Sequence, residues 1–469
     1  MNRSNREILF VTYIFTAVFV ILIGYVIYFT AIRSESFINN PYNNKRAQLL
    51  SQKVVRGPIL SRDGTVLAKT DTDADGNEIR IYPYGSVFAH SVGFFSQASI
   101  GVEAIANFKL LSSDINTFER ISNDLNGIKN KGDQVVTSLD VGLQTTAYSA
   151  LGDRKGAVVV MNVKTGEILA LVSKPDFDPN SIDEIWDLIN SDTVKSPLLN
   201  RATQGLYPPG STFKIVTALE YIKEATDPGD YVFDCSGSFE SKGVRINCYH
   251  GQKHGELDFE TSFAKSCNSS FANISSGLDK RSFGQTCRDL MFNGDIPCPY
   301  SYKTSYVDMN KNTEYGQLIQ AGIGQGRTQI TPIHMAMITS AIANKGILMH
   351  PIVITGVKNT YGQTIKSYGS KEYGRLMSGY ESRYLRELMR DVVLNGTGSR
   401  LKDTSLYEAA GKTGSAEYSQ DKSKSHAWFT GFAPYNDPEI AVTVIVEGGG
   451  SGGETAVPIA RAVFDDYFQ

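Results

Sequence analysis

The sequence predicts an α+β protein in three parts. A single N-terminal helix crosses a membrane, a small β-rich unit follows, and a larger domain builds an antiparallel sheet from strands at both of its ends. Three observations carry this. Residues 8–32 form a stretch of 25 without a charge, long enough to span the hydrocarbon core as a helix. Two apolar runs, 157–163 and 167–172, flank Lys164-Thr165-Gly166, the pattern of an antiparallel hairpin with a buried face. Strand patterns return at 409–418, 426–433 and 439–447, after helical stretches at 211–224, 259–278 and 332–344. Strands at both ends of a helical middle meet most simply in one sheet.

Taken in order, residues 1–7 are a short tail and 8–32 an uncleaved anchor. The apolar stretch is too long for a signal peptide, and Thr30-Ala31-Ile32-Arg33 is a poor cleavage site. Arg3 and Arg6 flank one side, and Arg33, Lys45 and Arg46 the other, so charge barely decides orientation. Residues 33–152 are expected to form the β-rich unit. Asp63-Gly64 turns a hairpin between Ile59-Leu60 and Val66-Leu67-Ala68. The stretches 71–78 and 112–128 read as loops. Residues 135–138 read as a strand, and Asp140 as the N-cap of a helix over 141–151. Residues 153–469 form the larger domain. Its loop 448–453 is a glycine-rich turn, not a phosphate cradle, because no Lys-Ser/Thr pair follows.

Composition narrows the function classes. An apolar share of 41% gives enough surface to bury, which argues against wholesale disorder. Lys+Arg at 46 against Asp+Glu at 49 leaves no basic excess to neutralise phosphates, so nucleic acid is not an expected partner. Five cysteines in 469 residues exclude a disulfide scaffold.

Three short motifs follow one another: Ser211-Thr212-Phe213-Lys214, Ser266-Cys267-Asn268 and Lys412-Thr413-Gly414, the last extended by Ser415. Singly they are weak. Ser-x-x-Lys recurs at Ser262/Lys265, Ser399/Lys402 and Ser419/Lys422, and Lys-Thr-Gly recurs at Lys164 on a hairpin tip. Only Ser211 follows a helix-start signal, Pro208-Pro209-Gly210. The ordered triple is far more specific than its members. On a helix Ser211 and Lys214 share one face, so the amine can reach the hydroxyl. A serine hydroxyl needs an adjacent base, and a lysine serves only if burial or a neighbouring cation lowers its pKa. Lys412 supplies that neighbouring charge. Backbone N–H groups of Ser211 and Ser415 suit an oxyanion. Ser266 can relay a proton, the Asn268 amide can hold a peptide group, and Lys412, Thr413 and Ser415 suit a substrate carboxylate.

This motif set marks β-lactamases and penicillin-binding proteins. The chain resembles the class B penicillin-binding proteins, and more than the triple carries the resemblance: Tyr207 through Lys214, Ile323-Gly324-Gln325-Gly326, Gly396-Thr397-Gly398, His426 through Pro434, and the opening segment Arg56 through Gly64. Tyr82-Pro83-Tyr84-Gly85 and Gly101-Val102-Glu103 are similar to the compact-pedestal form. The resemblance implies a transpeptidase/β-lactamase-like domain on a pedestal. It implies a peptidoglycan D,D-transpeptidase that forms a Ser211 acyl-enzyme with D-Ala-D-Ala stem peptides. Lys214 is then the base, Ser266, Asn268 and Lys412 complete the catalytic set, and Thr413, Gly414, Ser415 and Trp428 contact substrate. It also implies lipid-linked precursors as substrates, β-lactams as inhibitors, a SEDS-family glycosyltransferase as membrane partner, a cytoplasmic N-terminus and an extracytoplasmic catalytic domain. The length leaves no room for a glycosyltransferase domain of its own. A D,D-carboxypeptidase, a β-lactamase or a non-enzymatic β-lactam sensor are the alternatives. No cofactor and no metal are expected. Cys235 with Cys248, and Cys287 with Cys298, either close loops as disulfides or stay as buried thiols. His250 and His254 read as surface loop, and Trp428 as either core or groove wall, the wall favoured by its place after the third motif on a neighbouring strand.

Overall fold

The computed structural model describes residues 3–29, 44–96, 99–417 and 425–469. The anchor's end at 30–32, Arg33, the first part of the β-rich unit to 43, Tyr418 and the Ser419/Lys422 pair lie outside them. Arg3–Tyr28 is one helix, and its apolar stretch Ile8–Tyr28 is exposed among the described residues. It is long and apolar enough to cross a membrane.

The pedestal sheet has six short strands in the order Thr364–Ser367, Ile354–Lys358, Gln134–Thr137, Ile59–Leu60, Val66–Thr72, Glu78–Ile81. The hairpin at Asp63-Gly64 forms as expected, with Gly64 at φ +90°. Two strands, however, come from beyond residue 350. Ile354–Lys358 pairs antiparallel with Gln134–Thr137 and covers what would otherwise be an open edge. The helix Val141–Leu151, placed with the pedestal by sequence, instead buries Leu143, Ala147 and Leu151 against the larger sheet. A single cut at 152 therefore does not separate the two units. The stretch 112–128, expected as loop, contains the helix Thr117–Leu125. Asn116 caps it by accepting from the Phe118 N–H at 2.9 Å. None of its residues is buried, so no core periodicity announces it.

The larger sheet is antiparallel throughout, in the order Ala410–Glu417, Ser425–Ala433, Ile440–Val446, Gly156–Asn162, Ile168–Lys174. Strands from both ends of the domain meet, with Val160 opposite Val442. The expected hairpin has both faces buried, not one. Ala157, Val159 and Met161 enter the main core, while Val158 and Val160 enter a second core under helices Val141–Leu151 and Val457–Phe468. Helix Pro332–Ala343, buried on every side, fills the main core behind the sheet. That explains continuous apolar runs in place of alternation.

Candidate active site

Tyr207 and Pro208 lead into a 3-10 turn, Gly210–Phe213, and the α-helix proper begins at Lys214. Gly210 has φ +52°, and a Cβ there would lie 3.0 Å from the Ser415 carbonyl and from Ala416. Only glycine lets the turn lie this close to the edge strand Ala410–Glu417. The approach is pinned from both sides. The Gly210 N–H donates to the Gly324 carbonyl at 2.9 Å, and Trp428 Nε1–H donates to the Pro208 carbonyl at 3.1 Å. Ser211 is half-buried and opens into a cleft; Lys214, one turn on, is fully buried.

The helix expected over 259–278 breaks into Phe259–Ala264 and Asn268–Gly277. The break is the second motif, with Ser266 at φ +56°. A non-glycine residue rarely holds this left-handed conformation without a surrounding structure that enforces it. The break turns Ser266 and Asn268 toward the lysines. Lys214 Nζ donates to the Ser266 carbonyl at 2.6 Å, to Ser266 Oγ at 3.3 Å and to Asn268 Oδ1 at 2.8 Å. Lys412 Nζ donates to Ser266 Oγ at 2.9 Å and to the Thr413 carbonyl at 3.2 Å. Both amines lack a carboxylate partner among the described residues, and each lies 5.4 Å from a phenylalanine ring centre, Phe271 and Phe263. Burial pulls the Lys214 amine down to about 8. Burial, and then the charge of Lys214, holds Lys412 well below the ordinary lysine range. Among the described hydrogen bonds none joins Lys214 to Ser211. The described hydrogen bonds of Lys214 run to the second motif, and Ser266 Oγ is the junction between the two amines.

Ser211, Ser266, Asn268, Thr413, Gly414 and Ser415 all line one cleft of about 1360 Å³. Thr413 Oγ1 is 2.5 Å from Thr397 Oγ1, and Ser415 Oγ accepts from the Gly452 N–H at 3.3 Å. Gly452 approaches so closely that a Cβ would lie 2.5 Å from the Gly414 carbonyl. The Ser415 carbonyl faces Gly210. The N–H and C=O of one strand residue point to the same side, so the Ser415 N–H is turned toward the Ser211 segment. Lys265, Arg400 and Glu417 also line the cleft.

Trp428 corrects the sequence reading. It is fully buried, opposite Gly414 on the next strand, and its ring packs on Tyr207, so it braces the nucleophile segment from the core instead of walling the groove. Glu447, without a role by sequence, accepts from Tyr207 Oη–H and Arg201 Nε–H, both at 2.7 Å. It ties the segment entering Ser211 to the end of strand Ile440–Val446. Only its position after a strand hinted at this.

The expectation of no metal-ligand set also needs correction. Cys235, Cys248, Cys267 and His254 bring their ligand atoms within 4.8 Å of one another. His254 leaves the surface-loop reading; His250 is not part of the group. Cys235 Sγ and Cys248 Sγ are 3.6 Å apart, too far for a disulfide. Cys287 and Cys298 are free thiols as well.

Residues 156–465 match the penicillin binding protein transpeptidase domain family, and residues 56–135 match the penicillin binding protein A dimerisation domain. The peptidoglycan D,D-transpeptidase PbpA of Mycolicibacterium smegmatis is 30% identical over 89% of this chain and 90% of its own length. The peptidoglycan D,D-transpeptidase MrdA of Acinetobacter baumannii is 29% identical over 82% of this chain and 65% of its own. The ceftriaxone acyl-enzyme complex of penicillin-binding protein A from M. tuberculosis superposes with a TM-score of 0.81 at 29% identity, covering 90% of this chain and all of that one. The chain belongs to the penicillin-binding protein transpeptidase family, class B.

Proposed function

We propose that this chain is a peptidoglycan D,D-transpeptidase that crosslinks glycan strands in cell-wall synthesis. The observation that carries the reading is the junction at Ser266 Oγ, which lines the cleft that holds Ser211 and on which two buried lysine amines converge from behind. Lys214, drawn down to about 8, has a neutral fraction that can take the Ser211 proton. Ser211 Oγ attacks the carbonyl carbon of the penultimate D-Ala of a stem peptide ending in D-Ala-D-Ala. The O–C bond forms, the C–N bond to the last D-Ala breaks, and its amine leaves with the proton relayed through Ser266. An amine of a neighbouring strand then attacks the ester and frees Ser211.

The backbone N–H groups of Ser211 and Ser415 hold the oxyanion. Lys412, Thr413 and Ser415 receive the terminal carboxylate, which on entering favours the charged form of Lys412. Gly414 keeps the strand flat against the nucleophile turn, and the Asn268 amide holds the peptide backbone. β-Lactams acylate the same serine; the acyl-enzyme of the M. tuberculosis relative supports this.

The substrate class sets the orientation. Lipid-linked precursors are crosslinked outside the cell, so residues 1–7 are cytoplasmic, the N-terminal helix is a single-pass plasma-membrane anchor, and the larger domain stands outside on its pedestal. The chain polymerises no glycan itself, and a SEDS-family glycosyltransferase in the membrane supplies the strands. The test is reconstitution with lipid-linked substrate and a polymerase. Crosslinked product is expected. Release of D-Ala without crosslinks means a carboxypeptidase, and penicillin released within seconds of acylation means a β-lactamase.

A further inference from the structure

The pedestal carries a helix that its core does not use. Thr117–Leu125 buries none of its residues. Polar contacts hold it: Asn116 caps it, Arg120 Nη2–H donates to the Ser113 carbonyl at 2.7 Å, Asn123 Nδ2–H donates to Asn130 Oδ1 at 2.9 Å, and Tyr361 Oη–H donates to Glu119. Phe118, Ile121 and Leu125 stand at i, i+3 and i+7, so they share an arc of about 60° around the helix. Glu119, Arg120 and Asn123 take the opposite side. Phe118 is 84% exposed and Leu125 82%, and Ile121 and Ile128 are exposed as well. A helix of nine residues does not persist on its own sequence. Four large apolar side chains left together on a surface mark an interaction face.

The path of the chain says what covers this face. Helix Asn44–Ser51 is the first described element after the anchor, and it leads into strand Val54–Val55. That strand pairs in parallel with Asn130–Lys131, and the Asn130 N–H donates to the Lys53 carbonyl at 2.9 Å. Asn130 is the residue that Asn123 holds, so the apolar helix sits beside the point where the chain enters the pedestal from its anchor. Residues 30–43 are 14 in number and reach at most about 50 Å. The face is therefore tethered to the bilayer. Leu49, in the entering helix, is exposed too. Lys53 and Lys131 are exposed at the same place, with no carboxylate partner among the described residues. An apolar face with a basic rim complements an anionic headgroup layer. One short convex helix offers far less than the roughly 800 Å² per partner of a stable protein interface.

We propose that Phe118, Ile121, Leu125 and Ile128 lie in the headgroup region of the bilayer that the anchor crosses, and that the pedestal thereby touches the membrane at a second point. The tether supplies what the short helix lacks. A small amphipathic face binds a bilayer weakly, but a face kept within reach by a linker meets it at high effective concentration. Lys53 and Lys131 add attraction to anionic lipid. The proposal rests on the N-terminal helix as a membrane anchor and is independent of the reading of the cleft.

The experiment uses the full-length protein in nanodiscs of phosphatidylglycerol and phosphatidylcholine. Phe118→Trp, Ile121→Trp and Leu125→Trp report on the face, and Tyr380→Trp, exposed on the larger domain, is the control. The native Trp186 and Trp428 set the background, measured on the unsubstituted protein. Lipids brominated on their acyl chains are expected to quench the three face reporters about twofold beyond that background and to leave Tyr380→Trp unchanged. Adding Phe118→Asp and Leu125→Asp to Ile121→Trp is expected to abolish the quenching and to keep the thermal transition, since no buried side chain is altered. Discs of phosphatidylcholine alone are expected to weaken it. Face reporters that brominated lipid does not quench overturn the proposal. So does a blue shift of their emission that appears only when a membrane polymerase is added, which assigns the face to a protein partner. Quenching that ignores anionic lipid overturns the part given to the lysines alone. A protein quenched at this face that no penicillin labels overturns the reading of the cleft and leaves the membrane contact standing.

Discussion

Two regions of this molecule bury charge, and they do it in opposite ways. In the pedestal, Glu103 is fully buried between Arg56 and Arg80. Arg56 Nε–H and Arg80 Nε–H each donate to it at 2.7 Å, and Arg56 also reaches the Glu103 backbone carbonyl at 2.7 Å. Burial pushes the Glu103 carboxyl up, but the two guanidinium groups outweigh it and hold it below the usual range. In the cleft, Lys214 and Lys412 are buried together, and both bond to one hydroxyl. Burial then lowers both amines. The difference teaches what each region is for. Opposite charges buried together hold their ordinary ionisation and serve the fold. Like charges buried together are forced toward neutrality, which costs stability and makes a base.

The sharpest break of this comparison is at the cleft. Ser211→Ala is expected to abolish covalent labelling by penicillin while leaving the thermal transition within a degree or two of wild type; labelling that survives would move the nucleophile elsewhere. Lys214→Met keeps the length and apolar body of the side chain and removes the amine. Acylation is expected to fall by about a hundredfold to ten-thousandfold, with no loss of stability, because an uncompensated buried amine is gone. A fall of less than fivefold by stopped-flow labelling would assign the base to another group.

The complementary change belongs to the pedestal. Glu103→Gln leaves two buried guanidinium groups without their counter-charge, and breaking a buried pair in this way costs roughly 3–5 kcal/mol. Denaturant unfolding is expected to show that loss, while the folded fraction still labels at the wild-type rate. Slower labelling per folded molecule would mean that the pedestal network also shapes the cleft.

The cleft was more legible in the sequence than its surroundings, and the contrast has a physical basis. Ser211 and Lys214, Ser266 and Asn268, and Lys412 through Ser415 are short local spacings that chemistry demands, so they stand out along the chain. The five-stranded sheet was legible because both of its faces are apolar. The break at Ser266 was not, since residues 259–278 carry no Gly or Pro before Gly277 and read as one helix; the left-handed residue is imposed by tertiary contacts. The strands from beyond 350 complete the pedestal from a distance that no local pattern reports. Cys235, Cys248, His254 and Cys267 come from four separate segments, and only the fold makes them neighbours. Trp428 is apolar enough for a core or a groove, and its hydrogen bond to Pro208 decides for the core.

The smallest effect separates the two regions by pH alone. Glu103 has a folded pKa below its unfolded one, so its contribution to stability is complete above the unfolded value of about 4.3 and fades only as pH falls through the folded value. Between pH 6 and 9 the pedestal network is therefore silent. Lys214 titrates inside that window. Its folded pKa, lowered to about 8, leaves roughly a hundredth of the amine neutral at pH 6 and a tenth at pH 7. Acylation by labelled penicillin is expected to rise about tenfold per pH unit from 6 to 7 and to flatten above about 8. The direction follows from the chemistry, because the base must be neutral to accept the Ser211 proton, and raising the pH supplies that form. Lys412→Met removes the second amine that donates to Ser266 Oγ, so the rate is expected to fall while the inflection, set by the burial of Lys214, stays near 8. A profile flat from pH 6 to 9 would show that Lys214 is not the base, and the contrast between paired and like-charged burial would lose its functional half.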